Sequence, residues 1–175
     1  MAMVGLFWIA EGDVYVGAKP SGLAPGVRLT PEGVMALGDG QSGLYLWEDV
    51  RALTVTDVPV KSLTRQAGAV KDLVVGTVVN MVVPVGMGRA DAAPAMMTVG
   101  VETRDGDHAL AAYVAAAVGY SPAEVDLSRA LLARLTGGAA TMATTLAAMT
   151  RWGRTWEGGS PRAAEREKLL REWAG

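Results

Sequence analysis

Two aspartates and the single histidine of the chain, Asp105, Asp107 and His108, lie close together in the segment "RDGDHAL". Carboxylate oxygens and imidazole nitrogens bind metal ions, and the same groups serve as acids and bases in catalysis. Asp-Gly-Asp is also typical of a hairpin turn, in which glycine supplies a positive φ and aspartate bonds the local backbone. We interpret this segment as a turn, and we keep a carboxylate- or metal-dependent enzyme as an alternative.

Other acids and hydroxyls in the sequence have simpler structural interpretations. Glu48 and Asp49 could form a carboxylate pair for acid–base chemistry, but adjacent residues of an extended chain point to opposite faces. We therefore predict that both are exposed acids in a turn. A serine nucleophile needs a histidine within reach, whereas helix caps and helix surfaces explain Ser121, Ser128 and Ser160. The sequence thus predicts no catalytic residue.

Composition narrows the remaining classes of function. The chain has no cysteine, which excludes disulfides and zinc–thiolate sites and favours a reducing, cytoplasmic location. Its formal net charge of -2 does not provide the positive surface that binds phosphate backbones. Gly86-Met87-Gly88 looks like half of a dinucleotide-binding turn, but Asp91 stands where the third glycine belongs. We predict no cofactor, no metal and no nucleic-acid partner.

A run without charged residues extends from Leu73 to Gly88. A membrane-spanning helix needs about 20 apolar residues, and this run is shorter and is interrupted by Asn80 and Pro84. Its valine pairs recur as they would on one face of a buried helix, whereas the density of β-branched residues favours a strand. We favour a strand whose two apolar faces are covered by a helix of the same chain or by a second subunit. The residues assigned to assembly are Val74, Val78 and Val82.

Short β-prone runs separated by turn residues dominate the sequence before the C-terminal part. Two hairpins are predicted, each from two such runs around a glycine-containing turn: Val4–Ala10 with Asp13–Gly17, and Val27–Leu29 with Val34–Leu37. Further strands are predicted in "LYLW", "RALTVTDV" and "MTVGVET". The segment Ala109–Val118 is assigned to a strand because the turn before it favours a hairpin, and a helix is the alternative.

The C-terminal part of the sequence has a helical pattern instead. Ser121, Pro122 and Glu124 form the start signal of a helix that ends before Gly137. The segment "AATMATTLAAMTRWGRTW" predicts a second helix, and "SPRAAEREKLLREWAG" predicts a third that opens at Ser160. Neither of these two helices can bury its apolar side alone, so we expect both to dock on the same chain or on a symmetric neighbour.

The last two predicted helices carry the candidate binding surface. Aromatic rings beside arginines suit the headgroup layer of a membrane, but the same residue types also dominate protein interfaces. We therefore predict a protein partner or a homo-oligomer, with a membrane surface as the alternative. The residues assigned to binding are Arg151, Trp152, Arg154, Trp156, Leu169, Leu170 and Trp173.

The stretch "VRLTPEGVMALGDGQSGLYLWEDVRALTV", with the later "VETRDGDHALAAYV" and a leucine-bearing helix, resembles the bacterial pleckstrin-homology-like and GRAM-like domains. The match is carried by Leu29, Thr30, Gly33, Trp47, Asp49 and Val50. The resemblance implies an α+β fold with an antiparallel, strongly bent sheet or partly open barrel and a capping helix. It places the domain at residues 1–137, with an apolar insertion near 60–95, and leaves 138–175 as a helical extension.

These interpretations together predict a binding or scaffold module. The resemblance implies that such a module often lacks catalysis, and the two apolar faces of the Leu73–Gly88 run indicate self-association. Two alternatives remain open on the sequence alone, namely a peripheral membrane-binding module and a carboxylate- or metal-dependent enzyme.

Overall fold

The chain begins with short antiparallel strands and ends with three helices, so the protein is of the α+β class. The computed structural model describes residues 1–61 and 95–175. The predicted strand at Leu73–Gly88, its residues Val74, Val78 and Val82, and the Gly86-Met87-Gly88 turn lie outside the described residues. The strands are β1 (Ala2–Val4), β2 (Phe7–Ala10), β3 (Asp13–Val16), β4 (Gly26–Leu29), β5 (Gly33–Leu37), β6 (Gly43–Leu46), β7 (Val50–Thr56), β8 (Met96–Thr103) and β9 (Gly106–Tyr113). The helices are α1 (Pro122–Leu135), α2 (Ala139–Thr155) and α3 (Ala163–Ala174).

Strands β1 to β6 form a six-stranded antiparallel sheet in which each strand pairs with the next along the chain. We call it sheet A. The turn between β2 and β3 consists of Glu11 and Gly12, whose φ angles of 56° and 91° match the twist of a two-residue hairpin. Both predicted hairpins are confirmed by the pairing of β2 with β3 and of β4 with β5.

The predicted strand Val4–Ala10 is wrong as a single element, because the chain bends at Gly5 and Leu6 and forms β1 and β2 instead. Gly5 has a φ of 57°, which is in the left-handed region that favours glycine. Leu6 is completely buried, and its carbonyl accepts a hydrogen bond from the Gly17 amide at 2.7 Å. The bend therefore allows both Leu6 and Phe7 to be buried, whereas a straight strand would place them on opposite faces.

Strands β7, β8 and β9 form a second antiparallel sheet, which we call sheet B. Leu53 and Val55 of β7 are buried while Thr54 and Thr56 are exposed, as their alternation predicts. Strand β9 confirms the strand predicted from Ala109 only as far as Tyr113. The residues that follow, up to Val118, lie in no strand.

A glutamine side chain joins the two sheets. The amide of Gln41, in the loop before β6, donates to the carbonyl of Ala111 in β9 at 2.9 Å and accepts from the Ala111 amide at 2.8 Å. It also lies 3.3 Å and 3.2 Å from the carbonyls of Gly26 and Leu37 in sheet A. This side chain thus bonds the edge of β9 in the way that the backbone of a neighbouring strand would.

Replacing Gln41 with alanine is expected to lower the free energy of unfolding by about 1–3 kcal/mol, because the part-buried groups of Ala111 lose their partner. Urea denaturation followed by circular dichroism measures the change. The control is Ser42→Ala at the exposed neighbouring position, where a change within about 0.5 kcal/mol is expected. Equal effects of the two substitutions would contradict the role given to Gln41.

Helix α1 begins as the sequence predicts. The Ser121 hydroxyl accepts a hydrogen bond from the Glu124 amide at 3.2 Å, and the Glu124 carboxylate accepts from the Ser121 amide at 3.4 Å. This reciprocal arrangement is a capping box, and Pro122 occupies the first helical position. The buried side of the helix carries Val125, Leu131, Leu132 and Leu135.

Helices α2 and α3 pack on the same chain. Gly153 of α2 lies against the Ile9 side chain of β2, and Leu170 of α3 lies beside Gly5.

The sequence predicts that α3 opens at Ser160. This prediction is wrong, because the helix begins at Ala163 after an extended Arg162. Residues on both sides of the predicted boundary at residue 137 belong to one unit formed by 1–61 and 95–175. In the described ranges, none of the helices has the length and apolar character required to cross a membrane.

Candidate functional site

The strand register of sheet A places six side chains in one line across its outer face. Residues directly opposite each other on paired antiparallel strands project to the same side of a sheet. The core residues of sheet A, such as Ile9, Val14 and Val34, alternate with this line and project to the other side. Successive pairings connect the six residues, which we call the outer row: Met3, Trp8, Tyr15, Arg28, Met35 and Leu44.

The centre of the outer row is formed by Trp8, Tyr15 and Arg28 on three adjacent strands. The Arg28 guanidinium donates from Nη2 to Oδ1 of Asp13 at 2.5 Å, and the two side chains are 36% and 39% exposed. Tyr15 is buried between these neighbours. Burial, followed by the negative charge of Asp13, raises the pKa of the Tyr15 hydroxyl above its ordinary value, so Tyr15 stays neutral.

Two polar atoms of the outer row are buried without a hydrogen-bond partner. They are the indole Nε1 of Trp8 and the guanidinium Nε of Arg28. Buried donors are normally paired, and each exception needs an explanation. Trp8 also lines an open cleft of about 340 Å³ together with Ala18, Lys19 and Val114. The outer row therefore combines large apolar groups with donors that have no acceptor in the described part of the chain.

A second polar cluster lies between α1 and α3. Arg166 donates from Nε to the Glu124 carboxylate, from Nη2 to the same carboxylate at 3.3 Å, and from Nη1 to the Pro161 carbonyl at 2.7 Å. The Glu124 and Arg166 side chains are only 2% and 12% exposed. Burial by itself would raise the pKa of Glu124, but the hydrogen bond and charge of Arg166 outweigh it, and the pKa is held below its ordinary value.

The geometry of the Glu124–Arg166 pair indicates a structural function. A catalytic carboxylate works best when its pKa is close to the working pH, whereas the pKa of Glu124 is moved in the opposite direction. Its carboxylate is occupied by Arg166 and by the amide and hydroxyl of Ser121. The pair fastens α3 to the first turn of α1.

The segment containing Asp105, Asp107 and His108 forms the turn and first residues of the β8–β9 hairpin. Thr103 closes the turn by donating from Oγ1 to the Gly106 carbonyl at 2.8 Å and by accepting from the Asp105 amide at 3.3 Å. The His108 ring packs against Tyr45 of β6 with ring centroids 4.7 Å apart. Within residues 1–61 and 95–175, no three acidic or histidine side chains are grouped so as to hold a metal ion. Asp105 thus lies in the turn, as predicted, and Asp107 and His108 lie at the start of β9.

The predicted binding residues of the C-terminal helices have different environments. Trp152 stacks on Trp156 with centroids 5.2 Å apart and meets Trp173 edge-on at 5.7 Å. Trp173 is buried and Leu170 is completely buried, Leu169 is half-buried against the core, and Arg151 and Arg154 are exposed. Trp156 lies just beyond the end of α2, and its indole donates to the Gly159 carbonyl at 2.8 Å. Trp152 thus packs against both of the other two tryptophans.

Sequence reasoning does not find the outer row, although all of its residues except Met3 lie in predicted strands. The alternation of each strand indicates which residues share a face, but it does not indicate the order or the register of the strands. Trp8 and Arg28 become neighbours of Tyr15 only through two separate pairings.

Comparisons with known protein families, characterised proteins and solved structures gave no match for this chain.

Proposed function

We propose that this chain is a non-catalytic interaction module that associates with itself through the outer row of sheet A. The observation that supports the proposal is the composition of this row. Tryptophan, tyrosine and arginine are the residue types enriched among those that contribute most to binding, and methionine adapts its shape to a partner. A sheet face in permanent contact with water is normally polar, whereas Arg28 is the single charged member of the outer row.

The edge strand β6 extends this apolar surface to the border of sheet A. Leu44 and Leu46 are 44% and 40% exposed, and the sequence from Gly40 to Trp47 contains no charged residue. Natural edge strands are usually protected from association by charged residues, prolines or bulges. An uncharged edge with two exposed leucines is consistent with a surface that becomes covered when the protein assembles.

We further propose that the fold is of the pleckstrin-homology-like type and that the protein acts in the cytoplasm. The type is supported by a meander of antiparallel strands that continues into a second sheet and is followed by a helix. Helix α1 packs against β7, where Arg129 donates to the Val55 carbonyl at 3.2 Å. The cytoplasmic location is supported by the lack of cysteine in the sequence.

Leu44→Glu is expected to convert the assembled protein into monomers, because it places an unpaired carboxylate inside the apolar contact. The substituted side chain is already 44% exposed, so the fold of the single chain should be retained. Light scattering coupled to size exclusion at micromolar concentration measures the mass. The matched control is Val118→Glu, at a residue that is 77% exposed and outside sheet A.

The proposal requires that wild type and Val118→Glu show a multiple of the monomer mass while Leu44→Glu shows the monomer mass. Far-UV circular dichroism verifies that all three proteins are folded. A monomeric wild type, or an assembly that Leu44→Glu leaves intact, would rule out self-association through this face.

A further inference from the structure

The outer row and its border carry one cation and one anion side by side. Arg28 lies in the row, and Asp13 at the start of β3 is its ion-pair partner. Both side chains are more than one third exposed, so both are accessible to a second molecule. A partner that covers this surface has to satisfy opposite charges at neighbouring positions.

The guanidinium of Arg28 has capacity for further hydrogen bonds. A guanidinium carries five N–H donors, and a carboxylate can accept about four hydrogen bonds. Within the described residues, one hydrogen bond joins Nη2 of Arg28 to Asp13. The side chain is 36% exposed, so the remaining Nη donors are open to an acceptor of a second molecule, whereas the buried Nε is not. Covering the pair with an apolar surface would remove water from the remaining donors and would cost free energy. The partner should therefore bring its own carboxylate to Arg28 and its own cation to Asp13.

We infer that this partner is a second copy of the chain, related by a two-fold axis, and that two Asp13–Arg28 pairs close into a ring of four alternating charges across it. The inference rests on the proposed self-association. In a two-fold interface the same surface meets itself, so that residue i of one copy contacts residue j of the other and the reverse. A surface with a cation beside an anion is complementary to its own rotated copy, because each Arg28 then lies between two carboxylates.

The ring explains why a charged pair can lie at the centre of an apolar contact. Each guanidinium keeps the Asp13 of its own copy and gains the Asp13 of the other, which provides acceptors for donors that the single chain leaves unused. Charge-assisted hydrogen bonds of this kind are the stronger class. A partner of one charge sign would instead place a like charge against either Arg28 or Asp13, which is unfavourable by several kcal/mol.

Charge reversal gives a specific test. Asp13→Arg leaves only cations in the centre of the surface, and Arg28→Asp leaves only anions. Each variant alone is expected to dissociate at least about tenfold more readily than wild type, because like charges meet across the two-fold axis. An equal mixture of the two variants is expected to form mixed dimers, since one copy then supplies both cations and the other both anions. Dissociation constants are measured by sedimentation equilibrium.

The double variant Asp13→Arg/Arg28→Asp restores one charge of each sign in every copy and is expected to dimerise alone. Thermal melts of each variant check that loss of the dimer in a single variant does not reflect failure to fold. Wild-type dissociation constants for both single variants, or no association in the mixture, would overturn the ring. If Leu44→Glu still gives monomers in that case, the outer row remains the interface and only the ring is wrong.

Discussion

Arg166→Ala is expected to lower the free energy of unfolding by about 3–5 kcal/mol, because it leaves a buried carboxylate without its partner. Glu124 is 2% exposed at its side chain and cannot recover the lost contact from water. The Pro161 carbonyl loses a donor in the same variant. Chemical denaturation at pH 7 measures the difference.

Arg171→Ala provides the matched control on the same helix. Arg171 forms an ion pair with Glu167 at 3.1 Å, but its side chain is 60% exposed. An exposed pair one helical turn apart contributes about 0.3–0.5 kcal/mol. Similar losses in the two variants would show that Arg166 acts only as a surface residue.

The same ion pair predicts how stability depends on acidity. The pKa of Glu124 in the folded protein lies below its ordinary value of 4.5, so folding favours the ionised form. The stabilisation is complete above the pKa of the unfolded chain and is lost as the pH falls through the folded pKa. Wild type should therefore lose its advantage over Arg166→Ala as the pH is lowered below about 4.5. An advantage that stays constant down to pH 2 would contradict the ion-pair explanation.

Gly5→Ala is expected to destabilise the protein by about 2–4 kcal/mol, because two unfavourable effects add. Gly5 has a φ of 57°, which an alanine adopts at a cost of about 1 kcal/mol or more. A methyl group there would also collide with the Ser128 hydroxyl and lie 2.8 Å from a methyl carbon of Leu170. Ser128 cannot move freely, because its hydroxyl donates to the Glu124 carbonyl at 2.6 Å and accepts from the Leu6 amide at 3.1 Å.

Gly22→Ala separates the two effects. Gly22 has the same φ of 57°, but no atom lies within 4 Å of the position that a methyl group would take. This variant should therefore lose only the backbone contribution, and the difference between the two variants measures the packing of α1 and α3 on the bend after β1. Equal melting temperatures of Gly5→Ala and Gly22→Ala would contradict that packing.

Local signals explain the parts of the fold that the sequence predicts correctly. The capping box of α1 needs only Ser121 and Glu124, three positions apart, and its geometry is confirmed. The hairpin between β2 and β3 needs only a glycine turn between two β-prone runs. These elements depend on interactions between residues that are close in the chain, so no knowledge of the tertiary structure is required.

The candidate site depends on interactions that are distant in the chain. Arg166 reaches Glu124 across 42 positions, and local spacing contains no information about that pairing. The outer row requires the register of five separate strand pairs. A shift of one residue in any pair would move the side chains of that strand to the other face. The break at Gly5 was missed for a related reason, because burial of Leu6 in a tertiary core overrides the β-propensity of the segment.

The chain that leaves β7 makes sheet B and helix α1 depend on each other. Thr56 pairs with Thr98, and the chain leaving β7 is held by the Tyr120 amide on the Pro59 carbonyl and by the Lys61 amide on the Tyr120 carbonyl. These two hydrogen bonds tie the chain at the end of β7 to Tyr120, which directly precedes the capping residue of α1. A substitution that displaces Tyr120 would therefore act on two elements at once, because the residue that precedes the cap of α1 also holds the chain that leaves β7.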